Sequence, residues 1–311
     1  MQELTIRAEP CHDDDPRLMR HAILGAGGVG GFVGAILAQA GESVLLLLRP
    51  DTLPHHPATL TLESPLGNCS GPVETALVLD RPVDILWVTP KATQLTASLD
   101  RVQDPSLSRA VVPLLNGIDH VTVLNARFGP ERVFPATIAG ELERVSPGRI
   151  VHRTRPARFG FPARGKALLS PVGEMLTRFG CTVFFEADEK TLLWRKLTAL
   201  APMALTTTAS ARSVGEIRDD PAWRRRLEAA VREAAAVAHA DGATISAEQT
   251  LEFLNRTPPT LRSSMSKDVA AGRAPELDAI AGPILRGAER YGIPVPEVTA
   301  LVEAIQASVE A

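Results

Sequence analysis

Six residues, Gly25-Ala26-Gly27-Gly28-Val29-Gly30, constrain this chain more than any others. They follow an apolar run, Ala22-Ile23-Leu24, and lead into a small-residue helical stretch from Phe32 to Ala40. A second apolar run, Val44 to Leu48, then ends in Arg49. Strand, glycine loop, helix and strand in that order give the pattern its meaning. Gly25 permits the tight turn, Gly27 beside Gly28 lets a phosphate approach the backbone, and Gly30 lets the helix lie close to its strand. The free N–H groups and positive dipole end of that helix suit an anion. A dinucleotide is therefore expected on Gly25, Gly27, Gly28 and Gly30. A site selective for NAD usually has an acid at the end of the second strand. A cation stands there, Arg49, and it suits the 2′-phosphate of NADP(H).

Bulk properties exclude several alternatives. The chain has 311 residues, enough for one large domain or two ordinary ones, and 22% of them are charged, for a net charge of −3. No basic stripe with interleaved aromatics predicts nucleic-acid binding. The longest aliphatic run, Val44 to Leu48, is far too short to span a membrane. Cys11, Cys69 and Cys181 are widely spaced and read as reduced thiols, which together with the absence of a signal-peptide pattern predicts a cytoplasmic protein. Oligomeric state is left at monomer or homodimer. The cluster Cys11-His12-Asp13-Asp14-Asp15 superficially resembles metal ligands. It lies in a stretch read as a flexible extension, residues 1–20, and no metal site is expected there.

Strands and helices alternate through the first part of the chain, which predicts an α/β fold with a Rossmann-like, doubly wound sheet. Strands are expected at Thr59–Glu63, Val73–Leu77, Val83–Thr89 and Ala110–Leu115. Further strands at Arg132–Ala139, Arg149–Thr154 and Arg158–Phe161 are expected to extend the same sheet, before a helix over Lys166–Phe179 and a last strand at Cys181–Glu186. From Asp188 the pattern becomes helix after helix. Asp220 with Pro221 opens one, Ser246 with Gln249 the next, and Thr257 with Pro258 a third that Gly272 closes. Glu276–Tyr291 and Pro296 to about Val309 complete the set. The chain is thus read as residues 21–187, an NADP-binding domain, and residues 188–311, an all-helical C-terminal substrate and catalytic domain.

In an open parallel sheet, ligands sit beyond the carboxyl ends of the strands. Arg49, Lys91 and Asn116 stand at such ends. Lys91 is placed to reach the same phosphate as Arg49, with Gln94 nearby, and Asn116 to touch nicotinamide, ribose or substrate. Lys196 lies amid Trp194, Leu197, Leu200 and Met203. A desolvated lysine gives up its proton near neutral pH, although the same spacing also fits a surface lysine lying along an amphipathic helix. Glu276 by itself reads as a favourable first-turn acid, and Ser264 as a helix-surface hydroxyl.

Taken together, Gly25-x-Gly27-x-x-Gly30, Arg49, Lys91-x-x-Gln94, Asn116-Gly117, Trp194-Arg195-Lys196, Ser263-Ser264-Met265 and Glu276-x-Asp278 resemble the ketopantoate reductase family over nearly the whole chain after about Arg20. The resemblance implies NADPH-dependent reduction of a 2-keto acid, 2-dehydropantoate to pantoate, on the route to pantothenate and coenzyme A. It also implies that Lys196 is the general acid, that Glu276 orients the substrate, and that Ser264 and Asn116 line the substrate and nicotinamide site. A nearby ammonium stabilises and protonates the oxyanion that hydride transfer creates.

The chain departs from the family pattern in its pocket. Leu200, Ala204 and Val214 stand where the family commonly has asparagines, and Pro202 is expected to kink the helix that carries Lys196. Each lost amide removes a hydrogen bond worth about 1 kcal/mol to a hydroxylated substrate. Two alternatives follow, a reductase of a more apolar keto acid and a non-catalytic NADP-binding sensor. Other nicotinamide enzymes fit less well. Tyr291 has Val295 where a short-chain dehydrogenase needs lysine, and His120, His152 and His239 are weak candidates for a histidine acid.

Overall fold

A computed structural model describes residues 18–310. The Cys11-to-Asp15 cluster lies outside them. The first elements are β1 (Arg20–Leu24), α1 (Gly28–Gln39), β2 (Ser43–Leu47), β3 (Thr59–Glu63), β4 (Cys69–Pro72) and β5 (Glu74–Ala76). Then come β6 (Val83–Val88), α2 (Leu95–Leu99), β7 (Ser108–Pro113), α3 (His120–Phe128), β8 (Thr137–Ala139), β9 (Leu142–Ser146) and β10 (Arg149–His152). The sheet region closes with β11 (Arg158–Pro162), α4 (Lys166–Arg178) and β12 (Thr182–Glu186).

Five strands form a parallel sheet in the order β5-β2-β1-β6-β7. Because β1 lies between β2 and β6, the chain winds to both sides of it, and the switch point falls at its carboxyl end. The remaining strands do not extend this sheet, contrary to the sequence expectation. β4-β3-β10-β9 form a second sheet, and β12-β11-β8 a third. Proline explains part of the difference. Residues 132–136 do run along the free edge of β7, where Val111 N–H donates to Arg132 O and Phe134 N–H to Val111 O, both at 2.8 Å. Ala136 N–H still reaches Pro113 O at 3.2 Å, but Pro113 has no N–H to return to that edge, and regular strand resumes only at Thr137, in the third sheet.

The second sheet also explains α1. A helix covering one sheet should be apolar on one side, yet Gly30 to Ala38 are all buried. One side meets the parallel sheet and the other meets β3, β4, β9 and β10. A Cβ on Gly34 would come within 2.7 Å of Ile23 and 2.9 Å of Leu60, one from each sheet.

The helical part comprises α5 (Glu189–Ala209), α6 (Val214–Asp219), α7 (Pro221–Ala240), α8 (Ala247–Asn255), α9 (Ser264–Ala270), α10 (Leu277–Tyr291) and α11 (Pro296–Glu310). Asp188 caps α5 by accepting from Lys190 and Thr191 N–H, and α5 continues through Pro202 without ending. Trp194, Leu197, Ala201, Ala204 and Leu205 of α5 share a core with residues of α7, α9, α10 and α11. Asp220 caps α7 with Pro221 in its first turn. The expected helix at Thr257-Pro258 does not form there. Its start moves to Ser263, whose side chain accepts from Ser266 N–H. A residue preceding proline is disfavoured in helix, which holds for both Thr257 and Pro258. The carbonyls of Pro259 and Leu261 instead take the N–H groups of Gly215 and Val214 at the start of α6. Among the described residues no helix is long and apolar enough to cross a membrane.

Candidate active site

The parallel strands deliver their carboxyl ends to one edge. At the end of β1, Gly25 adopts φ +101°, and a Cβ there would lie 2.6 Å from Pro90 N, at the end of β6. Thr89 fastens the same turn through a hydroxyl that donates to Gly25 O at 2.7 Å. Gly30 has no room either, since a Cβ would lie 2.3 Å from Gly25 O. Gly27 differs. It is the N-cap of α1, supplies no capping side chain, and has nothing within 4 Å of where its Cβ would stand. The first turn of α1 contains no acid. An uncapped helix start with open space over Gly27 fits the pyrophosphate of a dinucleotide, whereas Gly28 is packed on Leu142, whose carbonyl oxygen would lie 2.4 Å from a Cβ there.

Arg49, just past β2, has a side chain 57% exposed, and among the described residues its ion-pair partner is the exposed Asp51, 3.4 Å from Nε. Such a cation is free to meet a phosphate. Lys91 Nζ lies 2.6 Å from Asp268 Oδ2 on α9, and Arg273 Nε holds the other oxygen at 2.8 Å. Gln94 is exposed at the start of α2. Asp268 has no counterpart in the residues singled out from sequence, because a helix-surface aspartate carries no local signal.

Three of the expected residues do come together. Lys196, on α5, donates to Asn116 Oδ1 at 3.1 Å and to Leu115 O at 3.4 Å. Asn116 Nδ2 donates to Glu276 Oε2 at 3.4 Å, and Glu276 Oε1 accepts from Ala92 N–H at 2.8 Å. Glu276 is therefore turned away from its own helix and towards the ends of β6 and β7, and it does not cap α10. Gly117 makes this docking possible. It has φ +79°, and a Cβ there would lie 2.2 Å from Ala279 O in the first turn of α10. Asp119 in the same loop pairs with Arg286 of α10.

Burial pushes the Lys196 ammonium down to about 8, while the Glu276 carboxylate partly offsets the fall. His120, at the start of α3, is buried, and burial together with the Lys196 charge pushes it down to about 3. It is neutral at physiological pH and cannot serve as an acid there. Ser264 opens α9 with an exposed side chain, while its neighbour Ser263 is buried against the Thr207 hydroxyl at 2.9 Å. A narrow crevice beside Lys196 is lined by Leu115, Gly117, Thr137, Leu193, Leu197 and Leu200. Ala204 and Val214 are buried. Among the described residues no group of acids, histidines and cysteines could hold a metal.

Comparison with known proteins agrees with this architecture. Residues 21–165 match the ketopantoate reductase PanE/ApbA family, and residues 188–310 match its C-terminal part. A 2-dehydropantoate 2-reductase of Caulobacter vibrioides is 30% identical over 299 residues, covering 92% of this chain and 98% of that protein. The crystal structure of 2-dehydropantoate 2-reductase from Geobacter metallireducens superimposes with a TM-score of 0.83 at 25% identity, over 93% of this chain and all (100%) of that one. A D-mandelate dehydrogenase solved with NADH and anilino(oxo)acetate shares the fold, with a TM-score of 0.81 at 23% identity over 94% and 99% of the two chains. The parallel sheet with its glycine turn, the helical part bearing Lys196 and Glu276, and these full-length similarities lead to one conclusion: the chain belongs to the ketopantoate reductase family of oxidoreductases.

Proposed function

We propose that this chain reduces a 2-keto acid to the 2-hydroxy acid with NADPH, as a ketopantoate reductase does, and that Lys196 is its general acid. The observation that carries the reading is the Lys196 ammonium, lowered to about 8 and held by Asn116 and Leu115 oxygens at the carboxyl edge of the sheet. A lysine of that strength is protonated at neutral pH yet able to release its proton.

Residues 21–187 hold the dinucleotide in this reading. The first turn of α1 at Gly27 would hold the pyrophosphate, and Arg49 would pair with the 2′-phosphate. Bound there, the nicotinamide supplies the hydride. Residues 188–311 supply Lys196 and Glu276. Lys196 has three N–H donors. Two are held by Asn116 Oδ1 and Leu115 O, so one remains for the substrate carbonyl oxygen. The ammonium stabilises charge developing on that oxygen and then passes its proton there. Glu276 keeps Lys196 charged until that moment and fixes Asn116, through the Nδ2 contact.

A second reading concerns the substrate and is favoured by Leu200, which lines the wall beside Lys196 together with Leu193 and Leu197. That wall suits an apolar substituent on the keto acid better than a hydroxylated one. Both readings are tested by following absorbance of the reduced cofactor with ketopantoate and with branched and aromatic 2-keto acids. Strong preference for ketopantoate refutes the apolar pocket. Tight NADPH binding with no oxidation by any of the acids refutes the reductase and leaves a sensor.

A further inference from the structure

The polar chain that ends at Lys196 begins at a residue without an assigned role. Asp268, on α9, is 8% exposed and takes Lys91 Nζ on one oxygen and Arg273 Nε on the other. One residue past Lys91, the N–H of Ala92 donates to Glu276 Oε1. Glu276 then bonds Asn116, and Asn116 bonds Lys196. Two acids from the helical part thus grip two successive residues at the end of β6. We propose that Asp268 is a positioning residue: by clasping Lys91 it sets the 91–92 turn against Glu276, and so fixes the Glu276–Asn116–Lys196 chain.

The clasp rests on the reductase reading of Lys196 and Glu276, but its geometry stands apart from turnover. Lys91 is 42% exposed, so its pair with Asp268 adds little to global stability. Its effect is local. Between β6 and α2 the 91–92 segment forms a short turn, where Gln94 N–H bonds Lys91 O, and among the described residues Ala92 is the backbone donor to Glu276. Freeing Lys91 lets Ala92 withdraw, and Glu276 then raises the proton affinity of Lys196 less. Lys267 provides an internal control. It is the neighbour of Asp268, and its ion-pair partner among the described residues is Glu141, just before β9, rather than a group of residues 91–92.

The experiment measures Lys196 in cofactor-free protein by acetic anhydride labelling across pH, read by mass spectrometry, beside NADPH binding by calorimetry and steady-state kinetics. Asp268→Asn and Lys91→Gln are both expected to lower the Lys196 labelling midpoint. Asp268→Asn is expected to lower kcat on the order of tenfold without weakening NADPH binding, and Asp268→Glu to restore much of the loss. Lys267→Met is expected to keep the wild-type midpoint. Wild-type midpoints in both Asp268→Asn and Lys91→Gln overturn the clasp. An equal shift in Lys267→Met also overturns it, since general loosening of α9 then suffices. If wild-type protein reduces no keto acid while the two midpoints still fall, the clasp stands and the reductase reading falls.

Discussion

Lys196→Met tests whether the lysine is held at a cost, and it predicts a more stable, inactive protein. Burial lowers the ammonium from 10.5 to about 8. A difference of that size disfavours the charged form by on the order of 3 kcal/mol. Methionine fills nearly the same space without charge and loses two long, part-buried hydrogen bonds, to Asn116 Oδ1 and Leu115 O, worth about 1 kcal/mol together. The net gain at neutral pH is about 2 kcal/mol, or roughly 4 °C in Tm for a chain of this size. The gain depends on pH in a fixed direction. Below about 8 the folded and unfolded chains both carry the proton, and the penalty is felt in full. Between about 8 and 10.5 only the unfolded chain keeps it, so the wild type gains on the variant as pH rises. Differential scanning calorimetry of both proteins across that range gives the comparison. A variant no more stable than wild type at neutral pH, or a difference that does not shrink with rising pH, refutes the idea of a costly buried ammonium.

Arg49→Ala is expected to reduce the preference for NADPH over NADH, in kcat/KM, by about tenfold or more, as loss of one charge-assisted phosphate contact implies; an unchanged ratio assigns the 2′-phosphate elsewhere. Gly30→Ala forces a Cβ to 2.3 Å from Gly25 O and should cost about 1–3 kcal/mol in urea denaturation. Gly27→Ala meets open space at φ −86°, so it should fold normally while weakening dinucleotide binding; normal binding by Gly27→Ala would remove the pyrophosphate from that turn. Leu200→Asn, which places an amide in the wall beside Lys196, should shift kcat/KM towards ketopantoate over 2-ketoisovalerate by about fivefold, the worth of one hydrogen bond.

Much of this architecture was legible because local chemistry and tertiary placement agree. The glycine turn, β6 and the Asp220-Pro221 start of α7 each carry their own signal in adjacent residues. The second and third sheets carry none, since the alternation of Thr59–Glu63 or Arg158–Pro162 says that a strand exists but not which strand it pairs with. The helix α3 was hidden because Val121-Thr122-Val123 favours strand, while its buried residues His120, Leu124 and Phe128 recur at helical spacing. Within the site, Asn116, Lys196 and Glu276 were identifiable as a set through family resemblance, and the structure brings them into one hydrogen-bonded chain. Asp268 was not identifiable, because its partner Lys91 is 177 positions away in sequence. The role expected for Lys91 beside Arg49 failed to anticipate that contact for the same reason.

The central claim is that Lys196 protonates the substrate oxygen during reduction. Its most direct test is Lys196→Ala beside wild type, with NADPH binding measured by calorimetry and turnover measured on whichever 2-keto acid the wild type reduces fastest. The account predicts unchanged NADPH affinity and a kcat lower by about a hundredfold to ten-thousandfold, the range for loss of a general acid. Substantial turnover in Lys196→Ala at neutral pH would contradict it.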